Sequence, residues 1–192
     1  MVNYERVPSD WDHMNPGMGL APGQRISSSL LTESAGSLGL AYKHIKHTLT
    51  YQHDGNLVLY RITSFGAPDV GGAPGFDVLI DKLLEAATSG DLVDGKLPDG
   101  SVGDDIIEAV WATGTNGRTA GAAVMQPDGN FVVYDGGDQP VWASGTGPQY
   151  AADYIWLRVQ RDGNLVLYKG HAPGQDEDEW VPVWATGTNM PD

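Results

Sequence analysis

A chain of 192 residues is long enough to bury its own hydrophobic core as one domain, with or without an insertion. Its 25 acidic and 11 basic residues give a formal charge of −14, which disfavours binding to nucleic-acid phosphates and anionic membranes. Cysteine is absent, which excludes disulfides and thiolate zinc sites. The 26 glycines, 12 prolines and 6 tryptophans indicate many turns and short strands, so we expect a mainly β protein.

The beginning of the chain carries no recognisable targeting signal. Residues 1–19 lack the basic start and apolar run of a secretory leader, and no later stretch reaches the roughly 20 apolar residues that span a bilayer. We interpret residues 1–19 as an N-terminal extension and expect synthesis in the cytoplasm without membrane insertion. Release by lysis or particle assembly would then bring the protein to the extracellular space or a virion surface.

A nine-residue block occurs three times along the chain. The copies are residues 52–60, 126–134 and 160–168, and each has Gln, Asp, Asn, Val and Tyr at alternate positions. Each block is followed by a second shared string, Val-Trp-Ala-Thr/Ser-Gly-Thr, which starts at residues 110, 141 and 183. Self-similarity of this kind predicts one supersecondary unit built three times.

Each copy is predicted to be a β-hairpin followed by a third strand. Asp-Gly between alternating apolar residues is a strong hairpin signal, and the preceding strands are expected at residues 48–51, 122–125 and 155–159. The period of two places Leu57 and Leu59 on a core face, because alternate side chains of a strand point to opposite sides. The equivalent core residues are Phe131, Val133, Leu165 and Leu167.

Three such sheets can close around a common axis. Burial of each of the six core side chains contributes about 1.5–3 kcal/mol, and Trp111, Trp142 and Trp184 add three large apolar groups. The sequence therefore predicts a three-sided prism.

The first copy carries an insertion. Tyr60 is separated from Trp111 by a long segment, whereas Tyr134 is followed closely by Trp142, and we place the insertion at residues 62–109. It opens with a Gly/Pro-rich linker, residues 66–75. Apolar side chains then recur at helical spacing over residues 76–88, which predicts one amphipathic helix.

The repeated motif, Gln-x-Asp-x-Asn-x-Val-x-Tyr followed by Trp-Ala-Thr/Ser, resembles the bulb-type mannose-binding lectin family typified by the snowdrop agglutinin. The resemblance covers residues 48–60 and 109–189, with a weaker match at residues 20–27. We interpret residues 20–192 as a lectin domain interrupted by the insertion, in a bacterial or phage-encoded member of the family. The resemblance implies an all-β fold, the β-prism II of three antiparallel sheets around a pseudo-threefold axis, with a small helical insertion.

The resemblance also implies one mannose site per hairpin. Asp and Asn would bind the axial 2-hydroxyl, Gln the 3-hydroxyl and Tyr the 4-hydroxyl, with Val against the carbon face of the sugar. Sugar hydroxyls donate and accept hydrogen bonds at once, so carboxylate, amide and phenol groups on a rigid hairpin suit them. The predicted sugar-binding residues are Gln52, Asp54, Asn56, Val58, Tyr60, Gln126, Asp128, Asn130, Val132, Tyr134, Gln160, Asp162, Asn164, Val166 and Tyr168.

A purely structural interpretation of the motif is the main alternative. Turn and strand preferences account for Asp, Asn, Val and Tyr, but they do not explain why Gln precedes every turn. If the residues serve sugar binding alone, replacing Gln126 and Asn130 by Ala is expected to change stability by only about 1 kcal/mol. The insertion follows Tyr60 almost directly, which sets the site of the first copy apart from the other two.

Other chemistry is less well supported by the sequence. His44 and His47 are three apart and are expected on opposite faces, so no metal site is predicted. The acidic run at residues 94–105 is interpreted as a solvated loop rather than a calcium site, and residues 176–179 as an exposed hairpin tip. No motif of a nucleophilic, zinc or phosphate-binding enzyme is present, so we expect neither catalysis nor a cofactor, although a glycosidase carboxylate pair is not excluded.

The sequence therefore leaves two classes of function open. The first is a lectin whose partners are mannose-containing glycans, not nucleic acid. The second is a structural, adhesion or decoration protein of a phage particle that uses the prism as a scaffold, and a lectin-like bacteriocin is a variant of the first. Homodimerisation by exchange of residues 183–189, or docking onto a larger assembly, is compatible with both.

Overall fold

The computed structural model describes residues 1–8, 10–35, 41–66, 81–87, 106–171, 173–174 and 179–190. These residues form fourteen strands, and residues 81–87 form an α-helix, α1. The strands are β1 (Glu5–Arg6), β2 (His13–Met14), β3 (Met18–Leu20), β4 (Arg25–Ser27), β5 (Leu31–Ala35), β6 (Ala41–Tyr51), β7 (Leu57–Gly66), β8 (Ile106–Ala112), β9 (Ala120–Met125), β10 (Phe131–Asp135), β11 (Pro140–Ala143), β12 (Ile155–Val159), β13 (Leu165–Lys169) and β14 (Val181–Ala185).

Each repeat builds one antiparallel sheet from three consecutive strands. The first copy supplies β6, β7 and β8, the second β9, β10 and β11, and the third β12, β13 and β14. In every copy the first two strands are joined by the Asp-Gly turn and the tryptophan string forms the third strand, as the sequence predicts. The chain is therefore a nearly all-β, three-sheet prism.

The core lies where the three sheets face one another. Leu57, Leu59 and their four counterparts are fully buried in one cluster, which confirms the face predicted from the period of two. The rings of Trp111, Trp142 and Trp184 meet edge to face, with centroids 5.5–6.1 Å apart. Edge-to-face aromatic pairs at this separation are stabilising, so the triad joins the third strands of all three sheets.

The segment before the first repeat takes part in all three sheets. β2 pairs with β12, β3 with β9 and β4 with β6, while β1 runs parallel to β3. Met14, Leu20 and Ile26 are fully buried in the main cluster. Strands within residues 1–19 are thus part of the sheets that the repeats form.

The first copy is longer than its sequence suggested. β6 was expected at residues 48–51 but begins at Ala41, and β5 pairs with its extended part. β7 continues to Gly66 and β8 begins at Ile106, so both ends of the predicted insertion are strand. The run Ile62-Thr-Ser-Phe favours a strand because β-branched and aromatic residues suit a pleated sheet.

Helix α1 confirms part of the predicted inserted helix. Its buried residues Leu83 and Leu84 belong to a second apolar cluster, together with residues of β7 and β8. The remaining predicted helical residues, 76–80 and 88, lie outside the described residues, as do linker residues 67–75, the acidic run 94–105 and tip residues 176–178. Within the part of the chain that is described, no helix is long and apolar enough to cross a membrane.

Candidate functional site

The three Asp-Gly turns share one geometry. Gly55, Gly129 and Gly163 have φ of 87°, 87° and 93°, a left-handed conformation that glycine adopts without strain. In each turn the Gln N–H donates to the Asn carbonyl at 2.8 Å. The Asp side chain accepts the Asn backbone N–H through Oδ1 at 2.9–3.0 Å. This hydrogen bond holds Oδ1 of the aspartate on the turn, and because the carboxylate is planar it also restricts the position of Oδ2.

The asparagine after each turn is tied to the third strand of its copy. Oδ1 of Asn130 accepts hydrogen bonds from Oγ of Ser144 and from the N–H of Gly145, both at 3.1 Å. Asn56 and Asn164 make corresponding contacts with the Thr-Gly-Thr strings of their own copies. The amide oxygen is therefore engaged by the protein, whereas Nδ2 has no partner among the residues that the structure describes.

The Thr/Ser-Gly-Thr string acts as a clamp on the turn, a role that the sequence analysis missed. Oγ1 of Thr146 donates to the carbonyl of Gly129 at 2.6 Å and lies 2.7 Å from Oγ of Ser144. Oγ of Ser144 also accepts the N–H of Phe131 at 3.0 Å. The recurrence of this string after every tryptophan was the available signal. Because Asn130 belongs to the clamp, the expectation that it contributes little to stability has to be revised.

Glutamine and tyrosine form a pair in every copy. Nε2 of glutamine donates to the tyrosine Oη at 2.6, 2.5 and 2.6 Å in the first, second and third copies. This contact explains why Gln precedes each turn, since it orients the phenol eight residues further along. Burial raises the pKa of Tyr60 and Tyr168 above its ordinary value, so both phenols remain protonated near neutral pH.

The structure brings the five predicted residues of each copy together on the outer face of its own sheet. Val132 pairs with Val124 and Tyr134 with Ala122, on the face opposite the core residues Phe131 and Val133. The three sets thus lie on three different sheets. They form three separate candidate sites and do not converge on one.

The three outer faces are not equally accessible. Gln52 and Tyr60 are 5% and 6% exposed in the first copy, whereas their counterparts in the other copies are half-buried. Val58 and Tyr60 pack in the same apolar cluster as Leu83 and Leu84 of α1.

The second copy opens into a cleft of about 480 Å³. Val124, Gln126 and Pro127 line one side, and the N-terminal residues 2–5 line the other. The N-terminal wall is held by the pairing of β1 with β3 and by the N–H of Val2, which donates to Asp138 at 3.0 Å. No sequence pattern indicates this wall, because it depends on parallel pairing of a two-residue strand.

The third copy has aromatic and cationic neighbours that the second lacks. Trp156 pairs with Tyr168 across the strands, and their rings stack with centroids 5.2 Å apart. Arg158 lies opposite Val166, donates to Asp12 at 3.0 Å and stands 5.3 Å from the ring of Trp180. Salt bridge and cation–π contact together restrain its guanidinium group.

His44 and His47 are both buried, and their odd spacing on β6 places them on opposite faces of the strand. Burial, reinforced by the positive charge of Arg61, lowers the pKa of His47 from 6.5 to about 4. The ring is therefore neutral at physiological pH. Among the residues that the structure covers, no three His, Asp or Glu side chains form a group that could hold a metal ion.

Comparison with known proteins gives a consistent picture of the fold. No family model matches the chain. It is 43% identical over 70 residues to the B-type lectin plumieribetin of Scorpaena plumieri; the match covers 36% of this chain and half of the length of that relative. The structure is similar to monomeric monocot mannose-binding lectins from Gastrodia elata, with a TM-score of 0.50 and 26% identity, over 93% of this chain and 99% of theirs.

A lectin from Marasmius oreades matches equally well in structure, with a TM-score of 0.50 and 19% identity over 96% of each chain. The three-sheet prism is therefore the β-prism II of bulb-type lectins, as the sequence predicts. The similar proteins are lectins, a class that binds carbohydrate without catalysis.

Proposed function

We propose that this chain is a lectin that recognises α-mannose through its Gln-x-Asp-x-Asn-x-Val-x-Tyr hairpins, within a domain that we assign to residues 20–192. The observation that carries the proposal is the threefold repetition of one polar arrangement. In each hairpin the side chains of Asp, Asn and Gln are each held by a hydrogen bond within the protein, through Oδ1, Oδ1 and Nε2 respectively. The similarity to monocot mannose-binding lectins adds support for mannose as the ligand.

The second copy shows what the arrangement offers to a sugar. The carboxylate of Asp128 is exposed and its Oδ2 accepts nothing from the described residues, while Nδ2 of Asn130 is a donor without a described partner. Oη of Tyr134 accepts from Gln126 and keeps its own proton to donate. The apolar side chain of Val132 lies between these groups on the strand. Donors, an acceptor and an apolar contact together match one face of a pyranose.

The rigidity of these groups favours binding of a small ligand. Asp128 and Asn130 are already held by the turn and the clamp, so few side-chain rotations are lost when a sugar binds. An axial 2-hydroxyl would then meet both side chains at once. The equatorial 2-hydroxyl of galactose would leave at least one of them unpaired, which disfavours binding of the galactoside.

A single pyranose covers little surface, so we expect weak affinity per site. Dissociation constants near the millimolar level correspond to about −4 kcal/mol. Useful binding to a mannose-rich surface would require several sites to engage together. Dimerisation, or docking onto a larger assembly outside the cell or on a virion, would raise the number of sites and remains part of the proposal.

Titration of the isotope-labelled protein with methyl α-mannoside and methyl α-galactoside, followed by NMR, tests the proposal. We expect saturable shifts around the second hairpin with the mannoside and none with the galactoside. Equal shifts with both sugars would contradict the specificity, and the absence of shifts with either would contradict the lectin assignment.

One observation favours the scaffold function as a second candidate. The outer face of the first hairpin packs against α1, which supports the use of the outer faces of this prism for protein contact. A particle component built in this way would bind no pyranoside. The same titration therefore separates the two candidates.

A further inference from the structure

Helix α1 lies on the face of the first hairpin that the motif would present to sugar. Val58 and Tyr60 of β7 form one apolar cluster with Leu83 and Leu84 of the helix. Leu83 is 0% exposed and Leu84 6% exposed, so both leucines are removed from water by this contact. The contact extends along the hairpin, because Ile62 and Ile107 belong to the same cluster.

The distribution of polar and apolar side chains on α1 agrees with a stable contact between the helix and the first sheet. Asp81, Lys82 and Glu85 are exposed, whereas Leu83, Leu84 and Ala86 are buried. An amphipathic helix with its apolar side buried is stabilised by that burial. Arg25 of β4 forms an ion pair with Asp81, which ties the start of the described helix to the same sheet.

No helix of the described chain covers the equivalent faces of the other copies, but in the third copy the rings of Trp156 and Trp180 pack against Tyr168. Gln126, Tyr134, Gln160 and Tyr168 are half-buried. Val132 and Val166 lie outside both apolar clusters of the described chain, although they are as buried as Val58. All five motif residues are nevertheless present in the first copy, and its Gln52–Tyr60 hydrogen bond is intact. Lower accessibility of Gln52 and Tyr60, not loss of residues, distinguishes the first copy, whereas Asp54 is exposed as in the other copies.

We propose that α1 is an internal occupant of the first sugar face, so that the chain binds two pyranosides and not three. The proposal rests on the proposed lectin function. A cleft of about 450 Å³ stays open beside Gln52 and Leu84, but Val58 and Tyr60 pack against the helix. A sugar could contact these two residues only if the helix left, which would expose Leu83, Leu84 and the apolar residues beneath them to water. A ligand of millimolar affinity supplies too little free energy to drive that exposure.

The motif residues of the first copy then have a structural role, which is to bind the inserted helix. Val58 provides an apolar contact for leucine side chains in place of the carbon face of a sugar, and Gln52 holds the tyrosine that forms the other part of the contact. The first hairpin thus joins the inserted segment to the prism. The number of sugar sites is set by Leu83 and Leu84, which lie outside the repeated motif.

The three turn glycines are suitable reporters for this proposal. Their backbone amides sit at the centre of each hairpin turn, and each can be followed separately by NMR in the intact chain. On titration with methyl α-mannoside we expect shifts at Gly129 and Gly163 and none at Gly55. A shift at Gly55 of similar size and midpoint would overturn the proposal. No shift at any of the three would contradict the lectin function itself, which is a different result.

A double variant provides an independent measurement. Asn130→Asp with Asn164→Asp keeps the side-chain oxygen that the clamp uses but removes the Nδ2 donor from both open hairpins. We expect mannoside binding at the second and third hairpins to weaken at least tenfold, with no saturable site left at the first. Retention of one saturable site that shifts Gly55 would show that the first copy binds sugar and would overturn the proposal.

Discussion

Asn130 offers a way to separate the structural and ligand-binding roles of the motif. Replacement by Ala removes the two hydrogen bonds that its Oδ1 accepts from Ser144 and Gly145. At about 1 kcal/mol for each bond, the loss of stability is about 2 kcal/mol. For a domain of this size a loss of 1 kcal/mol lowers Tm by about 2–4 °C, so Asn130→Ala should melt roughly 4–8 °C lower.

The matched variant Asn130→Asp retains an oxygen in the same place and replaces the Nδ2 donor by a second, charged acceptor oxygen. It should keep most of the lost stability, while sugar binding at the second hairpin falls to the level of Asn130→Ala. Thermal melting by circular dichroism and an NMR titration with methyl α-mannoside measure the two effects separately. If Asn130→Ala melts at the wild-type temperature, the clamp does not contribute as the geometry indicates. If Asn130→Asp binds sugar normally, the amide donor has no role in recognition.

Three further results are expected. Trp142→Ala removes one ring of the edge-to-face triad and should cost about 3 kcal/mol in chemical denaturation, whichever ligand binds; an effect below 1 kcal/mol would contradict the role of the triad. Gly163→Ala should destabilise more than Gly145→Ala, because a Cβ at Gly163 would lie 2.7 Å from Nε2 of His47 while Gly145 has open space around it; similar melting temperatures would refute this. Burial lowers the pKa of His47 from 6.5 to about 4, so the unfolded chain binds more protons than the folded chain between these pH values. The free energy of unfolding should therefore fall by about 3 kcal/mol at most as the pH drops from 6.5 to 4. His47→Gln should flatten this dependence of stability on pH.

The parts of the fold that repeat were predictable from sequence. Leu57 and Leu59 alternate with Val58 and Tyr60, so the period of two identifies the core face, and three copies of the same pattern made the assignment secure. The tryptophan triad followed because Trp111, Trp142 and Trp184 occupy the same place in each repeat. Because the same local structure is encoded three times, each copy supports the prediction made from the other two.

The parts that depend on unique long-range pairing were not predictable. β2 has two residues and β3 has three, which is too short for an alternating pattern to be visible, yet Met14 and Leu20 are fully buried in the core. The amphipathic pattern predicted a helix in the insertion, but the pattern of a helix does not reveal which surface it covers. Its contact with Val58 and Tyr60 became known only from the structure.

The candidate site shows the same division. The motif identified the residues and grouped them correctly by hairpin, since all five members of each copy are close in sequence. It did not reveal that Oδ1 of Asn130 is already used by Ser144, because that contact joins the turn to the third strand. It also did not show that the N-terminal residues 2–5 form a wall of the second cleft.

A crystal structure of the intact chain soaked with methyl α-mannoside is the most direct test of the central claim. We expect a mannoside at the second hairpin, with its axial 2-hydroxyl within hydrogen-bonding distance of Asp128 Oδ2 and Asn130 Nδ2 and its carbon face against Val132. A sugar bound away from the hairpin turns, or none bound to crystals that leave the second hairpin accessible at saturating concentration, would contradict it.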